Sequence, residues 1–435
     1  MPLPLKMKTA FIFYQRQRVR FTIPDNWNLL SFPNFPDNGK SANVNKLTKD
    51  ALNKPIQSSA LNDLLSPTDN IAIIIEDLTR TSPKRLILKV LLDNLNEIGI
   101  PEKNINIIIA TGTHRGLKHE ELESAFGRDL LDRYAFSNHD CRAPDLVPVG
   151  MLKTGCEVKI NRKVFNADFR IGIGSISPHP MNGFGGGGKI IFPGVTDFDS
   201  ILEHHLKWTF HKGTGFGKIK ENIFYDEVNS MACAGKLNFI INTVLNQSDE
   251  VDEIVCGDFK QAHLTGVGRS RAIISHRFTK KSDLTIITSF PYSEGPQIVK
   301  PLIPASMVTK DAGCIILAAD CAGNLPDAFV NSFAQFHSKY SNDLSGGVFE
   351  YFKNRRLIME GGAIDFNMAL GLTLALQHRF KIILVSKDIP RVTGEKMGFL
   401  YADDLEQAFE LSETVCSPNP EVHVIPSGGV ILPLI

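Results

Sequence analysis

Residues 70 to 113 read NIAIIIEDLTRTSPKRLILKVLLDNLNEIGIPEKNINIIIATGT, and this stretch decides the fold. NIAIIIED (70 to 77) and NINIIIATGT (104 to 113) are short β-branched runs closed by polar residues, the pattern of strands buried on both faces. Between them SPKRLILKVLLDNLNEIGI carries apolar residues at helical spacing, with Ser82 placed as N-cap and Pro83 in the first turn. Strand, helix, strand makes a βαβ unit. FRIGIGSI (169 to 176) repeats the buried-strand pattern, and LTIITSF (284 to 290), GCIILAAD (313 to 320) and FKIILVSKD (380 to 388) form a second series with helical patterns between them. KIIFPG, after the glycines, reads as a further strand stopped by Pro193.

The fold class expected is therefore α/β, as two α/β domains with mainly parallel sheets, which also suits a 435-residue chain too long for one core. The boundaries expected are 1–270 for a catalytic and cofactor-binding domain, 271–410 for a C-terminal α/β domain, and 411–435 for a tail packing back on the first. Hydrophobic residues at 43% and charged residues at 22% fit a soluble globular protein. Lys plus Arg and Asp plus Glu cancel at 47 each, which removes a long-range attraction to nucleic acid or to an anionic membrane. No run approaches the roughly 20 apolar residues that span a bilayer, and the N-terminal stretch lacks the apolar core and cleavage site of a signal peptide. Seven scattered cysteines without a C-x-x-C pair suit free thiols in a reducing cytoplasm.

Ligands of parallel sheets gather at the carboxyl ends of the strands. Here those ends are polar: Asp77-Leu78-Thr79-Arg80, Gly112-Thr113-His114-Arg115 and Ser177-Pro178-His179. Arg80 beside a helix N-terminus suits an anion clamp. His114, His179, His204 and His205 offer imidazoles that can take and return protons near neutrality, and of the adjacent pair His204-His205 only one can face a given ligand. GFGGGGKI begins at Gly183 and meets the G-x-x-x-x-G-K part of a phosphate loop, but Ile190 stands where a magnesium-binding hydroxyl belongs. Five glycines among six positions point to something pressed close against the main chain, such as a flat ligand. A phosphotransferase using this loop, and a non-catalytic ligand-binding homologue, are the alternative readings.

Taken in order, DLTRTSP, ATGTHRGL, SISPHPMNGFGGGGKIIFPG, the histidine pair and PQIVK resemble the lactate racemase family that uses a nickel-pincer nucleotide. The resemblance spans Asp77 to Lys300. It implies a racemase or epimerase of a 2-hydroxy acid working by reversible hydride transfer, with the site in a cleft between the domains. It implies a pyridinium-3-thioamide-5-thiocarboxylate mononucleotide attached covalently to Lys189, with nickel held by His205 and His204 behind it. His114 and His179 become the two acid/bases, and Arg80 the carboxylate anchor. Asp77, Thr79 and the loop Gly185, Gly186, Gly187 and Gly188 become cofactor-binding, and Gln297 and Lys300 substrate-binding. The family's tyrosine before that glutamine is Pro296 here, and Phe366 and Asn367 stand where another aromatic belongs, so the substrate expected is not lactate but a larger or more polar acid, aromatic or sugar-like. The partners implied are that small acid and the enzymes that build the cofactor, in a monomer or homodimer.

Overall fold

In the computed structural model, which describes residues 8–33 and 42–435, IAIIIE is the strand Ile71–Glu76, and its side chains divide by parity between two cores. Ile71, Ile73 and Ile75 enter one apolar cluster, while Ala72 and Ile74 enter another. Ile105, Ile107 and Ile109 repeat the division against Ile108 and Ala110. A strand covered on both faces has no use for alternating polar residues, which is why the runs are continuously apolar. Each fully buried isoleucine contributes roughly 1.5–3 kcal/mol of transfer free energy.

The chain divides into two units, Asn38–Ile273 and Met1–Asp37 with Ile274–Ile435. The first holds a six-stranded sheet with spatial order Val251–Asp258, Phe239–Leu245, Phe169–Ile176, Ile71–Glu76, Ile105–Ala110, Ala135–Asn138. All neighbours are parallel except the Val251–Asp258 edge. From Ile71–Glu76 the chain steps outward in one direction, then returns with Phe169–Ile176 on the other side. That reversal puts a topological switch point between Ile71–Glu76 and Phe169–Ile176, where ligands of open α/β sheets bind.

The crossover helix runs Lys84–Ile98 and ends at Gly99, whose φ of 91° is the left-handed conformation a C-cap uses. Its start departs from expectation. Ser82 does not cap the helix; its hydroxyl donates to Glu76 Oε1 at 2.6 Å, and Pro83 occupies the cap position. KIIFPG is not a strand: Gly187–Ile190 is a single 3₁₀ turn, with Ile190 and Ile191 driven into the core beneath the sheet.

The second unit has its own six-stranded sheet, Leu400–Ala402, Lys381–Val385, Thr309–Ala318, Ser282–Thr288, Glu421–Ile425, Asn28–Ser31, parallel throughout. Here the expected boundaries need correction. The 411–435 segment belongs to this unit instead of the first: Val422 and Val424 of Glu421–Ile425 are fully buried in this unit's core. The N-terminal residues belong here too, since Asn28–Ser31 pairs with Glu421–Ile425, and Trp27 packs on Phe409 with Nε1 donating to Glu413 at 2.8 Å. The division falls at 273/274 rather than 270/271, inside the helix Phe259–Ile274. No helix among the described residues is long and apolar enough to cross a membrane.

Candidate active site

Three neighbouring strands of the Asn38–Ile273 unit end in the segments that the sequence singled out. After Ile71–Glu76 comes Asp77, 7% exposed. Its Oδ1 accepts from Thr79 N at 3.1 Å and Thr79 Oγ1 at 2.5 Å, and its Oδ2 meets Nδ1 of His114, which follows Ile105–Ala110. Burial alone would raise the Asp77 carboxyl, but the imidazole of His114, helped by Arg80 and the Thr79 hydroxyl, holds it well below the usual carboxylate range. An ionised carboxylate accepts only, so His114 carries a ring hydrogen on Nδ1, and in the neutral ring the lone pair is on Nε2. Arg80 is turned by its own loop, Nη1 donating to Thr79 Oγ1 at 3.1 Å.

After Phe169–Ile176 the chain makes a two-residue pairing of Pro178-His179 with Gly183-Phe184, then the glycine loop. Nδ1 of His179 accepts from the backbone N–H of Met181 and Asn182, and its Nε2 lies 2.9 Å from Lys189 Nζ. Ile190, which spoils the phosphate-loop pattern, is an anchor: it lies against the backbone of Gly172 on the central sheet. With Ile190 and Ile191 buried below, Lys189 keeps partial exposure above.

The glycines also have a different cause from the one expected. A Cβ on Gly186 would stand 2.7 Å from Asn242 Oδ1, and one on Gly187 2.6 Å from the His263 ring, and both residues have positive φ. The close approach comes from the protein's own side chains beneath the loop.

His204 and His205 lie on the helix Phe198–Trp208, capped by Asp197, whose side chain accepts from Ser200 N. His205 Nδ1 is 2.9 Å from the carbonyl of Ile201, so that nitrogen donates and Nε2 remains a lone-pair donor, the usual arrangement of a metal-binding imidazole. His204 is fully buried among Phe192, Phe224 and His205, with neither ring nitrogen hydrogen-bonded and Nε2 3.8 Å from Glu227 Oε2. Burial, with His205 adding to it, pushes the imidazole well below its ordinary value.

Residues 14–217 match the family model described as the lactate racemase N-terminal domain. A lactate racemase of Thermoanaerobacterium thermosaccharolyticum is 28% identical over 434 residues, covering 98% of this chain and 99% of that one. The lactate racemase of Lactiplantibacillus plantarum is 31% identical over 274 residues, 62% of this chain and 64% of its own. The structure of the lactate racemase apoprotein from T. thermosaccharolyticum superposes with a TM-score of 0.85 at 27% identity, over 98% of this chain and all of that one. Along almost its whole length the chain is similar to lactate racemases. It is an isomerase of the racemase type.

The Asn38–Ile273 unit contains Asp77, Thr79, Arg80, His114, His179, Gly185–Gly188, Lys189 and His205. Gln297 and Lys300 lie in the other unit. Gln297 is 5% exposed, its amide nitrogen 3.5 Å from Asp365 Oδ2 and its Oε1 buried without a hydrogen bond. Lys300 Nζ stands 5.3 Å from the centre of the Tyr292 ring, an aromatic neighbour four residues upstream of Pro296. Asn367 is structural, closing the turn at Met359 through that residue's N–H and carbonyl.

Sequence reading missed the support under the glycine loop. His263, 1% exposed on the helix Phe259–Ile274, donates from Nε2 to the Gly185 carbonyl at 2.9 Å and accepts at Nδ1 from Tyr225 OH at 3.2 Å. Burial pushes the Tyr225 phenol up to about 12, so it remains a donor, and pushes the His263 imidazole down to about 4, so it remains neutral. A lone histidine on a helix 78 residues beyond Gly185 gives no signal in one sequence. Glu76 was equally silent: it ties Ser82 to Ser175 and so fixes the Asp77–Arg80 loop against the third strand.

Proposed function

We propose that the protein racemises or epimerises a 2-hydroxy acid other than lactate, using a nickel-pincer nucleotide tethered to Lys189. The observation that carries this reading is the placement of two differently fixed imidazoles, His114 and His179, after the two strands that flank Ile71–Glu76, with Lys189 in hydrogen-bond reach of the second.

The residues present fit such a group. Lys189 is an amine lowered from 10.5 to about 7 by burial and by Arg80, the state an acylated lysine needs beforehand. Among the described residues no three His, Cys, Asp or Glu side chains gather as a metal site, so His205 Nε2 would be joined by donors from the cofactor. An imidazole nitrogen is a suitable ligand for nickel. When bound, the group supplies a hydride acceptor for C2 of the substrate.

The chain's own residues do the rest. His114, held in its Nδ1–H form by Asp77, receives the hydroxyl proton at Nε2. His179 carries the proton for the opposite face. Arg80 holds the substrate carboxylate, and Thr79 and the Gly185–Gly188 backbone flank the nucleotide. Asp77, with both oxygens committed to Thr79 and His114, serves the base rather than the nucleotide. Gln297 and Lys300 bind substrate; Asp365 beside Gln297 adds a carboxylate that favours an acid with further hydroxyl groups over a methyl-bearing or aromatic one.

The phosphate-loop alternative loses support, because Lys189 sits in a four-residue 3₁₀ turn and not at the N-terminus of an α-helix. The test is turnover of C2-deuterated 2-hydroxy acids, sugar acids included, in ordinary water. Inversion with deuterium kept at C2 supports hydride transfer; inversion with washout means proton abstraction and ends this mechanism.

A further inference from the structure

Three hydrogen bonds around His179 determine where a proton sits. Nδ1 accepts from Met181 N–H at 3.3 Å and from Asn182 N–H at 3.1 Å. A ring nitrogen that accepts from amides carries no hydrogen, so the neutral ring has its hydrogen on Nε2. That nitrogen lies 2.9 Å from Lys189 Nζ, and its N–H needs a lone pair to meet. An ammonium group has three hydrogens and no lone pair. Protonated Lys189 would require His179 to accept at Nε2 and carry hydrogen at Nδ1, directed at two amide N–H groups. An imidazolium fails for the same reason.

We infer that in the unloaded chain the turn at Met181-Asn182 fixes His179 as its Nε2–H tautomer and thereby keeps Lys189 a neutral amine, so that the chain itself supplies the nucleophile for acylation at Lys189. The surroundings act in the same direction, burial and Arg80 both disfavouring the ammonium. Lys84, at the start of the helix Lys84–Ile98, gives the contrast: burial lowers it too, but Glu76 opposes that shift at 3.9 Å and the Lys84 Nζ donates to the Arg80 carbonyl, an arrangement that uses ammonium hydrogens. Lys84 is 5% exposed, whereas Lys189 keeps partial solvent exposure, so a small electrophile reaches only the second.

The identity of the native electrophile rests on the cofactor reading above; the state of the amine does not. With a thiocarboxylic acid the Nζ lone pair forms a C–N bond to the thiocarboxyl carbon and the C–O bond breaks. One amine hydrogen and the thiol hydrogen leave with that oxygen as water, giving a secondary thioamide with no change of oxidation state. The neutral amine selects Lys189 over the other lysines as the site of attachment.

The experiment uses the full chain made without cofactor. Long-range ¹H–¹⁵N spectra identify the His179 tautomer, with His179→Gln supplying the assignment, and trace acetylation by acetic anhydride from about pH 5 to 10 is mapped to peptides. The expected result is Nε2–H for His179 and a Lys189 labelling midpoint near 7. At neutral pH the neutral fraction of Lys189 exceeds that of exposed lysines, which ionise near 10.4, by about a thousandfold; the weaker nucleophilicity of the less basic amine offsets part of this, so Lys189 should react about ten- to a hundredfold faster. An Nδ1–H tautomer, or a Lys189 midpoint above about 9, overturns the inference. A low midpoint in a chain that acquires no nucleotide from a competent loading system upholds it while removing the cofactor reading, and an adduct on a lysine of ordinary midpoint overturns it alone.

Discussion

Asp77→Asn separates the orienting role of the carboxylate from its bulk. Asp77 has two tasks, accepting from both the N–H and the hydroxyl of Thr79 and accepting from His114 Nδ1. An asparagine of the same shape has one oxygen and one NH₂. Thr79 presents two donors against His114's one, so the oxygen turns to Thr79 and the NH₂ faces the imidazole. Nδ1 of His114 must then accept, its hydrogen moves to Nε2, and the lone pair that should take the substrate proton is gone. A general base is worth roughly 10²- to 10⁴-fold, so kcat/KM should fall by at least about 10²-fold, about 2.7 kcal/mol of transition-state stabilisation. The assay is initial-rate racemisation on enzyme whose nickel and adduct content match wild type. A variant with full cofactor and kcat/KM within about threefold of wild type would refute the reasoning, since Asp77 would then not set the tautomer.

Other outcomes follow from the same geometry. His263→Phe strands the Gly185 carbonyl and the Tyr225 hydroxyl; a buried group left unpaired costs about 1–3 kcal/mol, so the melting temperature should fall, and an unchanged one would remove His263 from the support of the loop. The sign of its pH effect is fixed: the folded value lies near 4, below the unfolded 6.5, so its contribution is fully present above about pH 6.5 and is lost as pH falls toward 4. That loss amounts to about 3 kcal/mol in denaturant titrations at the two ends of the window, and in His263→Phe this part of the acid sensitivity should vanish. Gly187→Ala, whose Cβ meets the His263 ring at a φ of 57°, should destabilise by about 1–3 kcal/mol. Gly268→Ala, in a helix with nothing within 4 Å, should stabilise by about 0.5–1 kcal/mol; chemical denaturation of the pair checks both signs. Asp365→Asn should lower kcat/KM for polyhydroxylated acids more than for unsubstituted ones, and equal losses across a substrate panel would disconnect Asp365 from selectivity.

The sheet was legible in the sequence where one physical rule dominated. IAIIIE, INIIIA and FRIGIGSI are buried on both faces, and no other element explains such runs bounded by polar residues. The polar segments after them were legible as site candidates for the same topological reason. What was not legible depended on contacts between distant residues. The tail and Asn28–Ser31 are ordinary strands by pattern, and only pairing tells which sheet they complete. Ser82 looked like a cap because it precedes a helix, but Glu76, six residues earlier, claims its hydroxyl. KIIFPG has strand composition, yet Ile190 and Ile191 are needed below the glycine loop, and that requirement forces a turn. The glycines announced a close approach without saying from which side it came.

The measurement that bears most directly on the central claim is intact mass with peptide mapping and elemental analysis, on this chain co-produced with a nickel-pincer biosynthesis system that loads a control racemase. The account predicts a nucleotide-sized adduct on the peptide carrying Lys189, with one nickel per chain. An unmodified Lys189 in that system, or an adduct on a different lysine, would contradict it.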